Sequence, residues 1–552
     1  MGAVRRLNSF FPMMVSVAVL VAGLLLSGCG SRETPAEAGV TTQTLHVASV
    51  GEPSELDPHV INAPPDFKIV PMLFEGLLTG DPATLEPRPG VASTWEVSAD
   101  RLTYTFHLRP DAKWSNGDAV TAADFLYSWQ RALTPALGSQ YTFLMSAVVG
   151  ADDFAAGRLE DFSRVGFAAP DPATVTITLA QPTPYFLGNL ANNPIWAPVH
   201  RATIEAAGGM AKRGGGWTKP GTMVSNGAFV LRAWRPNELI RLERSPTYWN
   251  SGDVRLNAIE YHSFDSSDTE ERAFRAGQLH VAVTVPVAKL DGYRAMKDSP
   301  LREVDSLIDR FINLNTTRAP FDDVRVRRAF ALALDRELLA RRVYHGTVTP
   351  ARGVVPAGMP GYAAEDLLAD DAAEAKALLA AAGFPGGAGF PTVQLSVESG
   401  GSNESAQALQ ARWREVLGIN VEILQSETRV HWGRLQQKDY TLAVGGWVAD
   451  YPDATAMLDL WKTESGWNFT GWSSPDYDAA LAAAATAPDE AARRERLHQA
   501  ERLLMEAMPV IPIGFERNPS LVRPEVRNLH DNALDRPDYR SVYLEAATDA
   551  GD

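Results

Sequence analysis

The chain has 552 residues and a formal net charge of −16, from 67 acidic and 51 basic side chains. This acidity argues against nucleic acid or an anionic lipid surface as the main partner, because both need a basic protein face. A hydrophobic content of 45% excludes wholesale disorder, and a single cysteine excludes an internal disulfide framework and a cysteine-rich metal site.

The first 28 residues have the pattern of a secretory signal peptide. Arg5 and Arg6 precede an apolar run that ends in Leu26-Ser27-Gly28-Cys29. This ending resembles the lipobox of bacterial lipoproteins, in which the chain is cut before the cysteine and the sulfur is diacylated. An uncleaved membrane anchor is the alternative, since the run has borderline length for a membrane span. The small residues before Cys29 favour a lipid anchor there, followed by a flexible tether over 29–41 and an exported body.

The body alternates short strands with helices. Alternating apolar and polar residues predict strands at 45–49, 103–108, 174–179 and 393–397. Thr121 and Asp124 form a predicted capping box at a helix start. Two further helices, after 322–323 and after 486–489, carry apolar residues on one face. Strands interleaved with helices over this length indicate α/β lobes.

The sequence lacks the common motifs of phosphate-binding, metal-binding and catalytic sites. It contains no Walker phosphate loop, HExxH helix, EF-hand loop or G-x-S-x-G elbow, and the ten histidines are scattered. Asp450 and Asp453 could share a cation, but too few oxygen ligands lie nearby for a calcium site. We therefore predict no cofactor, no metal and no catalysis. An exported hydrolase remains an alternative, because glycosidase carboxylates need no sequence motif.

Aromatic residues cluster near the C-terminal third of the chain. Five of the 13 tryptophans lie within 432–472, where an even distribution would place about one; they are Trp432, Trp447, Trp461, Trp467 and Trp472. Core packing is one explanation, and we expect it for several of them. The glycines and polar residues between them favour a wall built from loops, against which a ligand could lie.

Seven segments, in order along the chain, resemble the peptide-binding proteins of bacterial ABC importers, solute-binding protein family 5. The similarity is greatest to the oligopeptide-binding branch. The segments are LDPH (56–59), LFEGL (73–77), FHLRPDAKWSNG (106–117), DFLYSWQR (124–131), SNGAF (225–229), APFDDVRVR (319–327) and GWVADY (446–451). Together they are specific for the family and less specific for its ligand.

The resemblance implies an α/β fold, the two-lobed type II periplasmic-binding-protein clamshell with an additional third domain. By position, lobe I comprises 42–74, 200–306 and 517–548, the extra domain 75–199, and lobe II 307–516. The implied partners are an oligopeptide and the permease subunits of an ABC importer with their cytoplasmic ATPases. The protein is expected to work as a monomer and to bind no nucleic acid.

The resemblance also implies which residues hold the peptide. In the family, a carboxylate in a W-x-A-D segment binds the α-ammonium of the ligand, and Asp450 holds that position here. Tyr141 occupies the place of a family tyrosine that reaches the peptide from the extra domain. Strand-like contacts to the peptide backbone are expected from Gly446, Trp447 and Val448 on one side and from Asn62, Ala63 and Pro64 on the other.

One position departs from the family pattern. Members that bind short peptides have an arginine three residues before the tryptophan, which pairs with the ligand carboxylate, but this chain has Val444 there. Arg434 or another basic side chain would have to substitute for it, so we expect no fixed recognition of a free C-terminus at that depth and a different peptide length preference. The remaining alternatives are the same fold with another solute, such as murein peptide, nickel chelate, haem or a sugar, and a lipoprotein scaffold without a ligand.

Overall fold

A computed structural model describes residues 33–399 and 403–546. The strands in chain order are β1 (Thr44–Val50), β2 (Leu78–Gly80), β3 (Pro87–Pro89), β4 (Ala92–Val97), β5 (Thr103–Leu108), β6 (Phe167–Asp171), β7 (Thr174–Thr178), β8 (Phe229–Arg235), β9 (Leu239–Arg244), β10 (Ala258–Phe264), β11 (Val281–Ala282), β12 (Leu301–Leu314), β13 (Val348–Pro350), β14 (Val393–Glu398), β15 (Val421–Ser426), β16 (Leu442–Val448), β17 (Val510–Val522), β18 (Val526–Arg527) and β19 (Tyr543–Leu544).

The α-helices in chain order are α1 (Pro35–Thr42), α2 (Pro64–Leu73), α3 (Ala122–Leu133), α4 (Ala151–Ala155), α5 (Phe186–Asn192), α6 (Arg201–Ala206), α7 (Ser267–Arg275), α8 (Leu290–Arg294), α9 (Val324–Leu332), α10 (Arg336–Arg342), α11 (Ala372–Ala381), α12 (Asn403–Leu417), α13 (Thr428–Gln436), α14 (Thr455–Leu458), α15 (Pro475–Ala485) and α16 (Glu490–Ala507). The predicted α/β class is confirmed.

An eleven-stranded sheet runs through the molecule in the order β15-β14-β16-β12-β17-β11-β1-β10-β9-β8, with β13 also paired to β17. Its two longest strands, β12 and β17, are antiparallel neighbours, and they join the strands of 393–448 to those of 44–282. Their register is interrupted between Asp305 and Asp309. The predicted lobe boundaries at 306/307 and 516/517 fall at this interruption, although the division into domains stays a prediction.

A separate four-stranded sheet, in the order β4-β5-β7-β6, lies within the region predicted to be the extra domain. Its β5 alternates half-buried and buried residues, as the sequence pattern predicted. The capping box of α3 is also present, because the Asp124 carboxylate accepts hydrogen bonds from the N–H and the hydroxyl of Thr121, at 2.8 and 2.9 Å.

Several segments that carry the family resemblance meet in the core. Arg131 donates to both carboxylate oxygens of Asp57, at 3.0 and 2.5 Å, and both side chains are fully buried. The Asn226 side chain accepts from the N–H of Glu75 and donates to its carbonyl oxygen, at 3.1 and 2.8 Å. These segments therefore supply hydrogen-bond partners to one another, and buried polar groups need such partners.

The N-terminal part of the body departs from expectation. The tether predicted over 29–41 is helical from Pro35 onward, so the prediction of a flexible segment was wrong for these residues. Thr34 and Glu37 form a capping box, and the N–H of Ala36 donates to the carbonyl of Gly277 at 2.9 Å. The local signal, threonine followed three residues later by glutamate, is in the sequence. The predicted signal peptide and Cys29 lie outside the described residues.

Candidate functional site

A cleft of about 1100 Å³ lies beside the C-terminal half of β16. Its lining includes residues from three parts of the sequence: 62–68 with 534–536, 140–143, and 308–310 with 444–450. These parts belong to predicted lobe I, the extra domain and lobe II respectively. Its volume is that of a large ligand pocket. The cleft therefore lies where the proposed lobes and the extra domain meet.

One edge of β16 is open along the cleft. The strand pairs with β12 from Leu442 to Val448, whereas β14 pairs with it only at Leu442 and Ala443. Among the described residues, no strand covers the β14-side edge of β16 from Val444 onward. An open strand edge is the surface to which an extended peptide adds by β-augmentation.

The backbone groups along this edge alternate in direction. The N–H of Ala449 donates to the carbonyl of Leu307 in β12, and the N–H of Trp447 donates to the side chain of Asp309, at 2.9 and 2.7 Å. The intervening residues, Gly446 and Val448, must direct their backbone groups to the opposite, open edge. Trp447 can therefore contact a ligand in the cleft only through its ring. Of the three residues predicted to contact the peptide backbone, Gly446 and Val448 have backbone groups that face the open edge.

A side chain at position 446 would collide with the neighbouring strand. A Cβ there would lie 2.7 Å from the carbonyl oxygen of Asp309. Glycine thus allows β12 and β16 to approach closely at the point where the edge opens.

The opposite segment, residues 62–64, is arranged differently from the prediction. The N–H groups of Asn62 and Ala63 both donate to Asp66, at 3.1 and 3.0 Å, because these residues cap the start of α2. Pro64 has no N–H, and Ala63 is not among the residues that line the cleft. Strand-like contacts from this segment would have to use carbonyl oxygens, because its N–H groups are bound or absent. Backbone N–H donors that face the cleft are therefore expected from the open edge of β16.

Asp450 lies two residues beyond the end of β16, with its carboxylate unpaired among the described residues. No hydrogen bond or ion pair to that carboxylate is present within the described part of the chain, while its carbonyl oxygen accepts from Asn193 at 2.9 Å. Burial raises the pKa of the Asp450 carboxyl to about 6, and the nearby Arg536 guanidinium opposes that rise. A half-buried acid without a partner favours a cationic ligand, which would restore its ionised form.

Tyr141 shares this end of the cleft. The pKa of its hydroxyl is raised by burial and further by the charge of Asp450. It packs edge-on against Phe67, with ring centroids 5.4 Å apart. The structure thus brings Tyr141 and Asp450, 309 positions apart in the sequence, to one end of the cleft.

Asp309 was not predicted from the sequence. It is buried in the wall of the cleft, and its Oδ2 has no hydrogen-bond partner among the described residues. Burial raises the pKa of this carboxyl well above its ordinary value. A single aspartate in a strand carries no local signal, so only the fold reveals its position.

Aromatic rings form one wall of the cleft. Tyr141, Phe143, Trp467 and Trp447 follow one another, with successive centroid distances of 5.7, 6.5 and 4.8 Å. Phe143 and Trp467 are 36% and 42% exposed, which is unusual for such large apolar side chains. The other tryptophans of the predicted cluster pack against the rest of the protein: Trp461 is buried, and the half-buried Trp432 and Trp472 lie against Phe469 and Tyr477.

The charges lining the cleft are mainly acidic. Its carboxylates are Asp309, Glu398, Glu404, Asp450, Glu516 and Asp535. Lys68 pairs with Asp535 at 2.8 Å and Arg310 pairs with Glu516 at 2.5 Å. Arg536 also lines the cleft and donates to the carbonyl oxygen of Asn192 at 2.5 Å. Val444 also lines the cleft and contributes no charge. Arg434 contacts Asp439 and is not among the lining residues.

A cleft between two α/β lobes joined by two long strands is the architecture of an extracellular solute-binding clamshell. The chain belongs to the bacterial extracellular solute-binding proteins, family 5, whose model matches residues 86–469. This confirms the family predicted from the seven segments.

Known relatives match over nearly the full length. The chain is 33% identical to the periplasmic oligopeptide-binding protein OppA of Escherichia coli K12, over 96% of this chain and 98% of that protein. It is 32% identical to the probable deoxycholate-binding periplasmic protein YgiS of the same organism, over 91% and 94%. The crystal structure of a Borrelia burgdorferi periplasmic oligopeptide-binding protein, OppAIV, superposes with a TM-score of 0.77 at 30% identity, covering 91% of this chain and 100% of that one.

Proposed function

We propose that this protein is the extracytoplasmic peptide receptor of an ABC importer, which captures an oligopeptide between its lobes and delivers it to the membrane permease. The observation that carries the proposal is the open edge of β16 ending at the unpaired carboxylate of Asp450. An extended peptide offers a matching pattern, because it has a backbone that pairs with a strand edge and an α-ammonium at one end.

Peptide capture would follow from closure of the lobes. A ligand that contacts both lobes only in the closed form shifts the population toward that form. The two long strands β12 and β17 connect the lobes, and their interrupted register at Asp305–Asp309 is the place where we expect the chain to bend. The permease would then recognise the closed form and take the peptide.

A second candidate is a non-peptide solute in the same cleft, favoured by the aromatic wall. An amphipathic acid such as deoxycholate could lie against Phe143 and Trp467. The acidic lining opposes it, because the carboxylate of such a solute would face Asp450 and Asp309. Of the cations Lys68, Arg310 and Arg536, the first two are already paired and the third is held by the Asn192 carbonyl. Electrostatic complementarity therefore favours the peptide.

Thermal unfolding of the purified chain distinguishes these ligands. We expect a tetrapeptide with a free amino terminus to raise the midpoint, because binding at 100 times Kd contributes about 2.7 kcal/mol. The N-acetylated peptide and deoxycholate should have much smaller effects. Native mass spectrometry of protein from its own host should show a co-purified peptide. Stabilisation by deoxycholate alone would contradict the proposal.

The proposal also concerns location. The predicted signal peptide and lipobox support a body outside the cytoplasm, held to the membrane by lipid on Cys29. We also propose that this body is a monomer. Within 33–399 and 403–546, no helix has the length and apolar character to cross a bilayer. Mass spectrometry of the parent should find acyl chains on Cys29, and a Cys29→Ser variant should lack them and still bind peptide. An unmodified Cys29 in the parent would contradict a lipid anchor.

We further propose that the protein does not alter its ligand, in keeping with a family of solute-binding proteins. After prolonged incubation with the purified protein, peptides and oligosaccharides should keep their masses. Turnover that disappears in an Asp309→Asn or Asp450→Asn variant would instead support the hydrolase alternative.

A further inference from the structure

A cluster of histidine and carboxylate side chains lies on the central sheet, outside the cleft. Strands β1 and β10 are parallel neighbours, with His46 opposite Glu260 and Ala48 opposite His262. Because side chains alternate between the faces of a strand, His46, Glu260 and His262 project from the same face. The three come together from positions 46 and 260–262 of the sequence.

The ligand-type atoms of these residues converge. His46 Nδ1 lies 3.3 Å from Glu260 Oε2 and 3.2 Å from His262 Nε2, and the last two atoms are 3.8 Å apart. A tetrahedral zinc ion with bonds of about 2.0–2.1 Å holds its ligand atoms roughly 3.3–3.4 Å from one another. The observed triangle therefore has nearly the dimensions of one face of such a tetrahedron.

Neighbouring groups leave these three atoms available. A third histidine, His280, is fully engaged, because its Nδ1 accepts from the N–H of His46 and its Nε2 donates to the carbonyl of Ala36, both at 3.0 Å. Arg241 donates to Glu260 Oε1 at 2.5 Å, which orients the carboxylate and leaves Oε2 facing the histidines.

The cluster faces away from the peptide cleft. The alternate residues of the same strands, Val47 and Tyr261, face α2, which lines the cleft at Phe67 and Lys68. The side chains of His46, Glu260 and His262 are 11%, 16% and 29% exposed, so an ion can reach them and keep one position open to water. Metal binding here and peptide binding in the cleft can thus be tested separately.

We propose that this cluster is a binding site for one divalent first-row transition-metal ion of the zinc type, held by His46 Nδ1, Glu260 Oε2 and His262 Nε2, with water in the fourth position. Two imidazole nitrogens and one carboxylate form a donor set that favours zinc over magnesium or calcium, which prefer oxygen ligands. The ion would connect β1 to β10 and stabilise the folded state of the sheet.

Equilibrium dialysis and cobalt absorption test the proposal. The full-length chain, purified without a histidine tag and freed of metal by a chelator, should bind one zinc ion per chain with saturation and should ignore magnesium. Cobalt should give the intense visible absorption of a tetrahedral site. His262→Gln and Glu260→Gln should each reduce zinc affinity by at least about 10–100-fold. His530→Gln, which removes an exposed histidine outside the cluster, should leave the zinc affinity unchanged.

Three outcomes would overturn the proposal: no saturable uptake of zinc, saturable uptake that His262→Gln leaves intact, or cobalt bound with an octahedral spectrum. The midpoint of thermal unfolding of each variant without metal shows whether it is folded. Because His262 is partly exposed, His262→Gln should keep the parent midpoint. Peptide affinity measured with and without chelator should be unchanged, so failure of the metal site would leave the proposed peptide function untouched.

Discussion

The Asp450 carboxyl and the Arg536 guanidinium influence each other across one end of the cleft without forming an ion pair. Arg536 instead donates to the carbonyl oxygen of Asn192 at 2.5 Å and lies over the ring of Phe67, 4.8 Å from its centroid. Its charge opposes the rise in the pKa of Asp450 that burial causes. Asp450 therefore changes its ionisation near pH 6. No protein cation pairs with it among the described residues, so a cationic ligand can take that position.

Asp450→Asn should weaken binding of a peptide with a free amino terminus by at least about 100-fold, because loss of one partner from a buried pair costs about 3–5 kcal/mol. The variant should lose the preference of the parent for free over N-acetylated peptide. Calorimetry with both peptides measures this difference. Asp535→Asn is the matched control, since Asp535 lines the cleft but is already paired with Lys68. Unchanged affinity in Asp450→Asn would refute the assignment.

Affinity for peptides with a free amino terminus should fall as the pH is lowered through about 6, because the Asp450 carboxyl becomes protonated there and loses its attraction for the ammonium. From about pH 7 to about pH 5 we expect a decrease of about tenfold. The N-acetylated peptide should show no such decrease.

Lowering the pH should increase the stability of the free protein, whereas it decreases the affinity for peptide. The folded pKa of Asp450 lies above its ordinary value, so the stability contributed by the protonated form is present at low pH and is lost as the pH rises through about 6. Comparison of the unfolding curves of the parent and Asp450→Asn isolates this contribution. Parallel pH profiles for the two proteins would contradict the prediction.

The parent should bind peptides with free and amidated C-termini almost equally, because Lys68 and Arg310 are paired and Val444 is uncharged. Arg536 is held by the Asn192 carbonyl at the Asp450 end of the cleft, where the amino terminus is expected. Val444→Arg should make the free carboxylate preferred by about tenfold, through a charge-assisted hydrogen bond. Val444→Met, which adds length without charge, is the control. A strong preference of the parent for free C-termini would show that another cation already holds the carboxylate.

Arg131→Met should reduce the free energy of unfolding by about 3–5 kcal/mol, since it leaves Asp57 buried without its cation. Arg158→Met is matched in chemistry, but its partner Asp153 and Arg158 itself are exposed, so the loss should be below about 1 kcal/mol. Chemical denaturation measures both. Equal losses would show that burial of the Asp57–Arg131 pair is unimportant.

Local patterns predicted the elements well and the cleft only in part. Strand β5 and the capping box of α3 depend on neighbours in sequence, so alternation and capping residues were sufficient to find them. The same reasoning missed the helix that begins at Pro35, although Thr34 and Glu37 carry its capping signal. Asp450 was found through the family resemblance, and its role stays a prediction.

The sequence by itself determined the α/β class, the family and the aromatic-rich segment, because these are properties of composition, periodicity and ordered motifs. Only the tertiary structure decided which groups are free to face the cleft. It directed the N–H of Trp447 to Asp309 and those of Asn62 and Ala63 to Asp66, and it brought His46 beside His262. The physical reason is that the direction of a backbone group and the proximity of distant side chains depend on strand pairing and burial, which no local pattern of residues encodes.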